Sequence, residues 1–229
     1  RIGDEILKGA GDQYRKLRNT FRYLLGALDG FVGDMGDVGE VPELEVYILA
    51  LLADLDGKLR HAAENYDFNA YTRLLVDFCN EDLSAFYFDI RKDVLYCDGP
   101  GSVKRNAYRT VLDLLFHALV RYAAPVLVFT AEEVWQTRFP DARSIHLEEW
   151  PKIHLADEYR VDTAKWDQLR KLREQGMEEH EVLHAIIAVY ADLHFSSFRQ
   201  GNQFDQLDYE SRLGYLSYED AEENDTKEK

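Results

Sequence analysis

Cysteine is nearly absent from this chain: Cys79 and Cys97 are the only two. Two thiols are too few for a disulfide framework and fit a reducing compartment. No apolar run approaches the roughly 18 residues needed to span a bilayer, so no membrane partner is expected. A signal-peptide pattern is missing too, and a cytoplasmic location is the expectation. Positive charge is the minority, 27 Lys and Arg against 43 Asp and Glu, for a formal net charge of −16. The resulting pI, near 4.8, excludes nucleic-acid binding by the whole surface but leaves room for a local basic stripe. Strand signals and internal repeats are also lacking.

What is present is uneven. From Met177 to Lys229 there are 13 acidic against 4 basic residues, and the other 176 residues hold 30 against 23. More than half of the acidic excess thus lies in the last quarter, while the body is close to balanced. Within that body "YRKLRNTFRYLLG", Tyr14 to Gly26, packs Arg15, Lys16, Arg18 and Arg22 into a short run.

The apolar spacing of residues 4 to 28 (Ile6, Ala10, Tyr14, Leu17, Phe21, Leu24, Leu28) traces one helix face. Lys8, Arg15, Arg18 and Arg22 form a second stripe about a quarter turn away. Gly30, Gly33, Gly36 and Gly39 mark a loop. Pro42 suits the first turn of a helix carrying Leu44, Ile48, Leu51, Leu55, Leu59, Ala62 and Tyr66. A third helix, Asn69 to Val94, has Tyr71, Leu75, Phe78, Leu83, Phe86 and Ile90 on its core side. "CDGPGS" breaks the chain, with Ser102 as N-cap of a helix bearing Val111, Leu114, Leu115, Ala118 and Tyr122. Thr130 with Glu133 is expected to form a capping box, "SIHLEEWP" (Ser144 to Pro151) to be extended, and Asp162 or Thr163 to cap another helix. Helices joined by short turns predict an all-α antiparallel bundle.

Gly176-Met177 is read as a seam. It divides a bundle over 1–175 from an appended amphipathic helix (Val182, Ile186, Val189, Leu193) and an acidic tail expected to be disordered. "HEVLH", His180 to His184, matches His-Glu-x-x-His, in which two histidines one turn apart bind zinc and Glu181 activates its water. The match is weak: no sheet forms a cleft, a third ligand is undefined, and Glu178 and Glu179 crowd the motif. No metal site and no catalytic residue are therefore expected. The helix over 178–198 is a candidate for self-association, because its apolar face needs cover.

Four segments together carry a resemblance: "YRKLRNTFRYLLGALDGF", "FCNEDLSAFYFDIRKDVLYC", "LVRYAAPVLVFTAEEVW" and "SIHLEEWP". In this order they resemble the anticodon-binding helical domain of bacterial-type isoleucyl-tRNA synthetases, within class Ia, over about residues 1–175. Arg-Asn-Thr at Arg18 to Thr20 and "DLSAFYFDIRKD" favour the isoleucine enzymes over their valine and leucine relatives. The family's His-x-Gly-His and Lys-Met-Ser-Lys-Ser signatures are absent, as are its editing domain and four-cysteine zinc module. The resemblance therefore implies a piece of an ATP-dependent ligase that catalyses nothing alone, with ATP and Mg²⁺ belonging to a catalytic domain elsewhere. Met177 after a glycine suits a fused second segment.

Under this resemblance the partner is tRNA(Ile). RNA binding needs cations to neutralise phosphates and planar groups for splayed loop bases. The phosphate candidates are Arg15, Arg18, Arg22, Arg91, Lys92, Lys104, Arg105 and Arg109. Trp135, Phe139 and Trp150 are the stacking candidates. A solvated helix face is the plain alternative for the stripe, and three rival functions stand beside RNA binding: a helical interaction module, a zinc hydrolase, and a carrier for the tail.

Overall fold

The computed structural model describes residues 3–31, 41–153 and 206–215, with Asp167, Gln168, Arg170 to Leu172, Gln175, Val189 and Leu193 between the last two spans. The chain divides into two compact units, Arg1–Tyr159 and Arg160–Lys229. No strand occurs among the described residues, in keeping with the expected all-α class. The His180–His184 motif, the cap at Asp162 or Thr163 and the acidic tail lie outside the described residues, as does the 178–198 helix apart from Val189 and Leu193, which are helical.

In the first unit α1 (Asp4–Ala27) is followed by α2 (Glu43–Glu64), which Pro42 precedes at its N-cap. A continuous helical run comes next. It is α-helical over α3 (Phe68–Asp77), π-helical over Phe78–Tyr87, and α-helical again over α4 (Phe88–Cys97). Then come α5 (Val103–Ala123), α6 (Val128–Arg138) and one 3₁₀ turn, Ile145–Leu147. Helix α5 is the centre of the unit and packs against α1, α2, α4 and α6. Its Leu112, Leu115, Phe116 and Leu119 are wholly buried, each such side chain contributing about 1.5–3 kcal/mol. Small side chains, Ala107, Ala118 and Ala123, let neighbouring helices approach between them.

The long run follows its sequence pattern, including an irregularity within it. The apolar positions step by four and three except from Phe78 to Leu83, a step of five. A π-helical segment, with i→i+5 bonding, keeps both residues inside. The Phe88 amide donates to the Leu83 carbonyl, and Ser84 Oγ donates to the Cys79 carbonyl at 2.8 Å. Cys79 is buried there, and burial pushes its thiol up to about 12, so it is unreactive.

Several local expectations are corrected. Helix α1 is buried only from Leu17 onward; Ile6 is 62% exposed, because no described element covers the first turns. Tyr66 leaves the α2 pattern and sits in a turn at φ 57 with its ring exposed. The capping box does not form: α6 begins at Val128, before Thr130, and the Thr130 hydroxyl instead lies 3.2 Å from that of Tyr14. "SIHLEEWP" is a strap, not a strand. Ser144 Oγ and the Ile145 amide donate to Glu132, and Trp150 Nε1 donates to Asp56 at 2.7 Å.

In the second unit Gln168, Leu172 and Leu193 are buried. A helix that the sequence reading does not anticipate, α7 (Gln206–Tyr215), buries Tyr209 and Leu213. The expected boundary at Gln175–Gly176 falls inside this unit.

Candidate nucleic-acid interface

Helix α1 ends at Ala27 beside the C-terminal turn of α4 and the N-terminal turns of α5. The space between them is an open cavity of about 620 Å³ lined by Asn19, Arg22, Tyr23, Tyr96, Arg105 and Arg109, among others. Three of the expected cations are therefore brought together from two different helices. Their bonding is unequal. Arg109 acts as a brace: its Nε donates to the Ala27 carbonyl at 3.0 Å and its Nη2 to the Asp29 carbonyl at 2.6 Å, with its guanidinium over the Phe31 ring. Burial, then the nearby Arg105 charge, draw Arg109 below the ordinary guanidinium value while Asp29 pulls the other way. Among the described residues Arg105 donates only Nε, to the Leu95 carbonyl at 3.1 Å. Arg22 is exposed and forms no ion pair with any described residue.

These partners have a common logic. The last carbonyls of a helix lack amide partners and carry the negative end of its dipole. Arg109 and Arg105 answer that need at α1 and α4. A carbonyl is neutral, however, so each arginine keeps its net charge. Beneath them Tyr23 and Tyr108 share a 2.8 Å hydrogen bond, and burial raises both phenols, which stay protonated.

The other candidates fall elsewhere. Arg18 and Lys104 are exposed without described partners, outside the cavity lining. Arg15 pairs with Asp12 at 3.0 Å and Lys92 with Asp89 at 2.9 Å, both at the surface. Two expectations are reversed. Arg91 is 7% exposed and forms a two-pronged pair with the wholly buried Glu45, at 2.7 Å on each prong, with Tyr87 donating to the same carboxylate. A buried carboxylate requires such a partner, so Arg91 cannot reach a ligand. Trp135 is 5% exposed, donates Nε1 to the Arg143 carbonyl, and packs on Phe116 and Phe139. It is a core anchor; Trp150 is half-buried and tied to Asp56 through its Nε1. Among the aromatics on display, Tyr96, 73% exposed, is the one at the cavity edge. Its signal in the sequence was its place off the apolar face of its helix, directly before a turn.

With this geometry in place, comparison with known proteins is decisive. The family model described as the anticodon-binding domain of tRNA ligase matches residues 45–195. The chain belongs to this family. The match passes the Gly176-Met177 seam and runs on to residue 195. This anticodon-binding domain is 56% identical over 189 residues to an isoleucine–tRNA ligase of Zymomonas mobilis, the alignment covering 80% of the chain and 20% of the relative. It is 47% identical over 173 residues to that of Agrobacterium fabrum, covering 76% and 18%. With the enzyme of Caulobacter vibrioides it shares 47% over 174 residues, covering 75% and 18%. The chain thus spans about a fifth of the length of the curated relatives it matches. Among its described residues the domain has no helix long and apolar enough to cross a membrane and no cluster of metal-binding side chains.

Proposed function

We propose that this chain is the tRNA-recognition part of an isoleucine–tRNA ligase, docking the anticodon arm of tRNA(Ile) while the remainder of such an enzyme attaches isoleucine. The observation that carries the proposal is the meeting, in a member of an anticodon-binding family, of Arg22, Arg105 and Arg109 at one open cavity, the first two without a neutralising carboxylate among the described residues. Phosphate binding needs unneutralised cations, and loop bases need an exposed plane. Arg18 and Lys104 extend the positive surface along α1 and α5. The acidic remainder of the molecule disfavours docking elsewhere. On this reading the chain works in the cytoplasm, and ATP and Mg²⁺ act at parts of a whole ligase outside it.

The test is binding of labelled tRNA(Ile), and of a copy with an altered anticodon, across a salt series. The expected result is a steep loss of affinity with salt, together with a preference for the unaltered anticodon. Binding without preference would reduce the role to electrostatics, and no binding even at low salt would overturn the proposal.

A further inference from the structure

Resting on that reading, we infer that the cavity between α1, α4 and α5 receives a single unstacked nucleotide, its base against the Tyr96 ring and its phosphate between Arg22 and Arg105. Size is the first reason: about 620 Å³ lies within the roughly 300–1,000 Å³ of small-molecule sites and is far too small for paired RNA.

The second reason is how the groups are aimed. Arg105 is pinned through Nε to the carbonyl of Leu95, the residue immediately before Tyr96. Neither terminal guanidinium nitrogen has a hydrogen-bond partner among the described residues, and the bond ties the cation to the helical turn that carries Tyr96. Such a fork matches the geometry of a phosphate. Asp29, the one carboxylate among the described lining residues, lies beside Arg109 and disfavours an anion there. Arg22 and Arg105, which have no carboxylate partner among the described residues, are left to receive it. Arg109 is a positioning residue in this scheme: it fixes the end of α1 and makes no bond to the nucleotide.

The third reason is Asn19. It lies one turn before Tyr23 on α1, is exposed, and has no described hydrogen-bond partner. Its amide offers a donor and an acceptor side by side, the pairing that reads a base edge. Phosphate contacts alone would carry no sequence preference; Asn19 supplies one.

The experiment uses the full chain and the anticodon stem-loop of isoleucine tRNA, with an abasic residue placed at each loop position in turn. One position is expected at which base removal weakens wild-type binding about ten-fold, within the roughly 1–3 kcal/mol that a stacked base contributes. Tyr96→Ala should weaken intact RNA by a similar factor, and base removal at that position should then cost nothing further. Tyr96→Phe should behave as wild type, and urea midpoints should stay unchanged because the ring is exposed. Undiminished binding by Tyr96→Ala, or an abasic profile identical in wild type and variant, would overturn the nucleotide seat while leaving RNA recognition standing. Displacement of the RNA by a Glu-rich peptide, equally well before and after Tyr96→Ala, would assign the cavity to anions in general and also overturn it. Failure of the wild-type chain to bind any stem-loop at low salt would remove both this inference and the function on which it rests.

Discussion

Arg91 and Arg105 are fourteen positions apart in the chain, belong to neighbouring helices, and have opposite roles. Arg91 points inward and meets the carboxylate of Glu45, so a pair of charges becomes one neutral, buried unit. Arg105 is half-buried and, among the described residues, meets a carbonyl and no carboxylate, so its hydrogen bond fixes its position without cancelling its charge. Both are ordered by hydrogen bonds, yet only Arg105 and its neighbours leave a field that an anion can feel. A guanidinium's value to a ligand therefore depends on whether its internal partner is charged.

The largest expected effect breaks the inner side of this comparison. Arg91→Met leaves Glu45 buried and unpaired, and should cost about 3–5 kcal/mol in urea unfolding. RNA affinity of the folded fraction should stay unchanged.

Asp56 is the second interior hub. It accepts from Arg60, Tyr122 and Trp150, each at 2.7 Å. Burial alone would raise its carboxyl, but the bonds from Arg60, Tyr122 and Trp150 outweigh burial and hold it below the ordinary value of 3.8. Its stabilising contribution is thus complete above that value and is lost as pH falls through the lower, folded one. Asp56→Asn should lower the melting temperature at neutral pH, by about 1–3 kcal/mol in stability, and should flatten the loss below about pH 4.

On the outer side, Arg22→Gln and Arg105→Gln should each weaken tRNA binding about five- to thirty-fold at low salt. Each should also reduce the salt slope by about 0.7, the value of one phosphate contact on a single strand. Stability should move by no more than about 0.5 kcal/mol for the exposed Arg22. The smallest effects belong to Arg15→Gln and Lys92→Gln, whose surface pairs with Asp12 and Asp89 contribute about 0.2–1 kcal/mol. A loss of RNA binding there as large as at Arg105 would erase the distinction between paired and unpaired cations.

Much of the bundle was legible in the spacing of apolar residues, down to the five-residue step at Phe78–Leu83 that the π-helical segment explains. Ser102 was legible as a cap because capping is local: its side chain accepts from the Arg105 amide three residues on. Thr130 was not, since its hydroxyl is drawn to Tyr14, more than a hundred residues away. The domain boundary was hard to read for a related reason. Gly176-Met177 marks a change of composition, whereas the compact units part at Tyr159–Arg160 and the family match ends at residue 195.

Periodicity, turns and four ordered segments were enough for the sequence alone to determine the helical class and the family, because each is a property of residues close together in the chain. Which arginines stay charged toward solvent was decided only by the tertiary structure. Arg91 and Arg105 look alike along the chain; only packing sets Glu45 from α2 against one and the Leu95 carbonyl of α4 against the other.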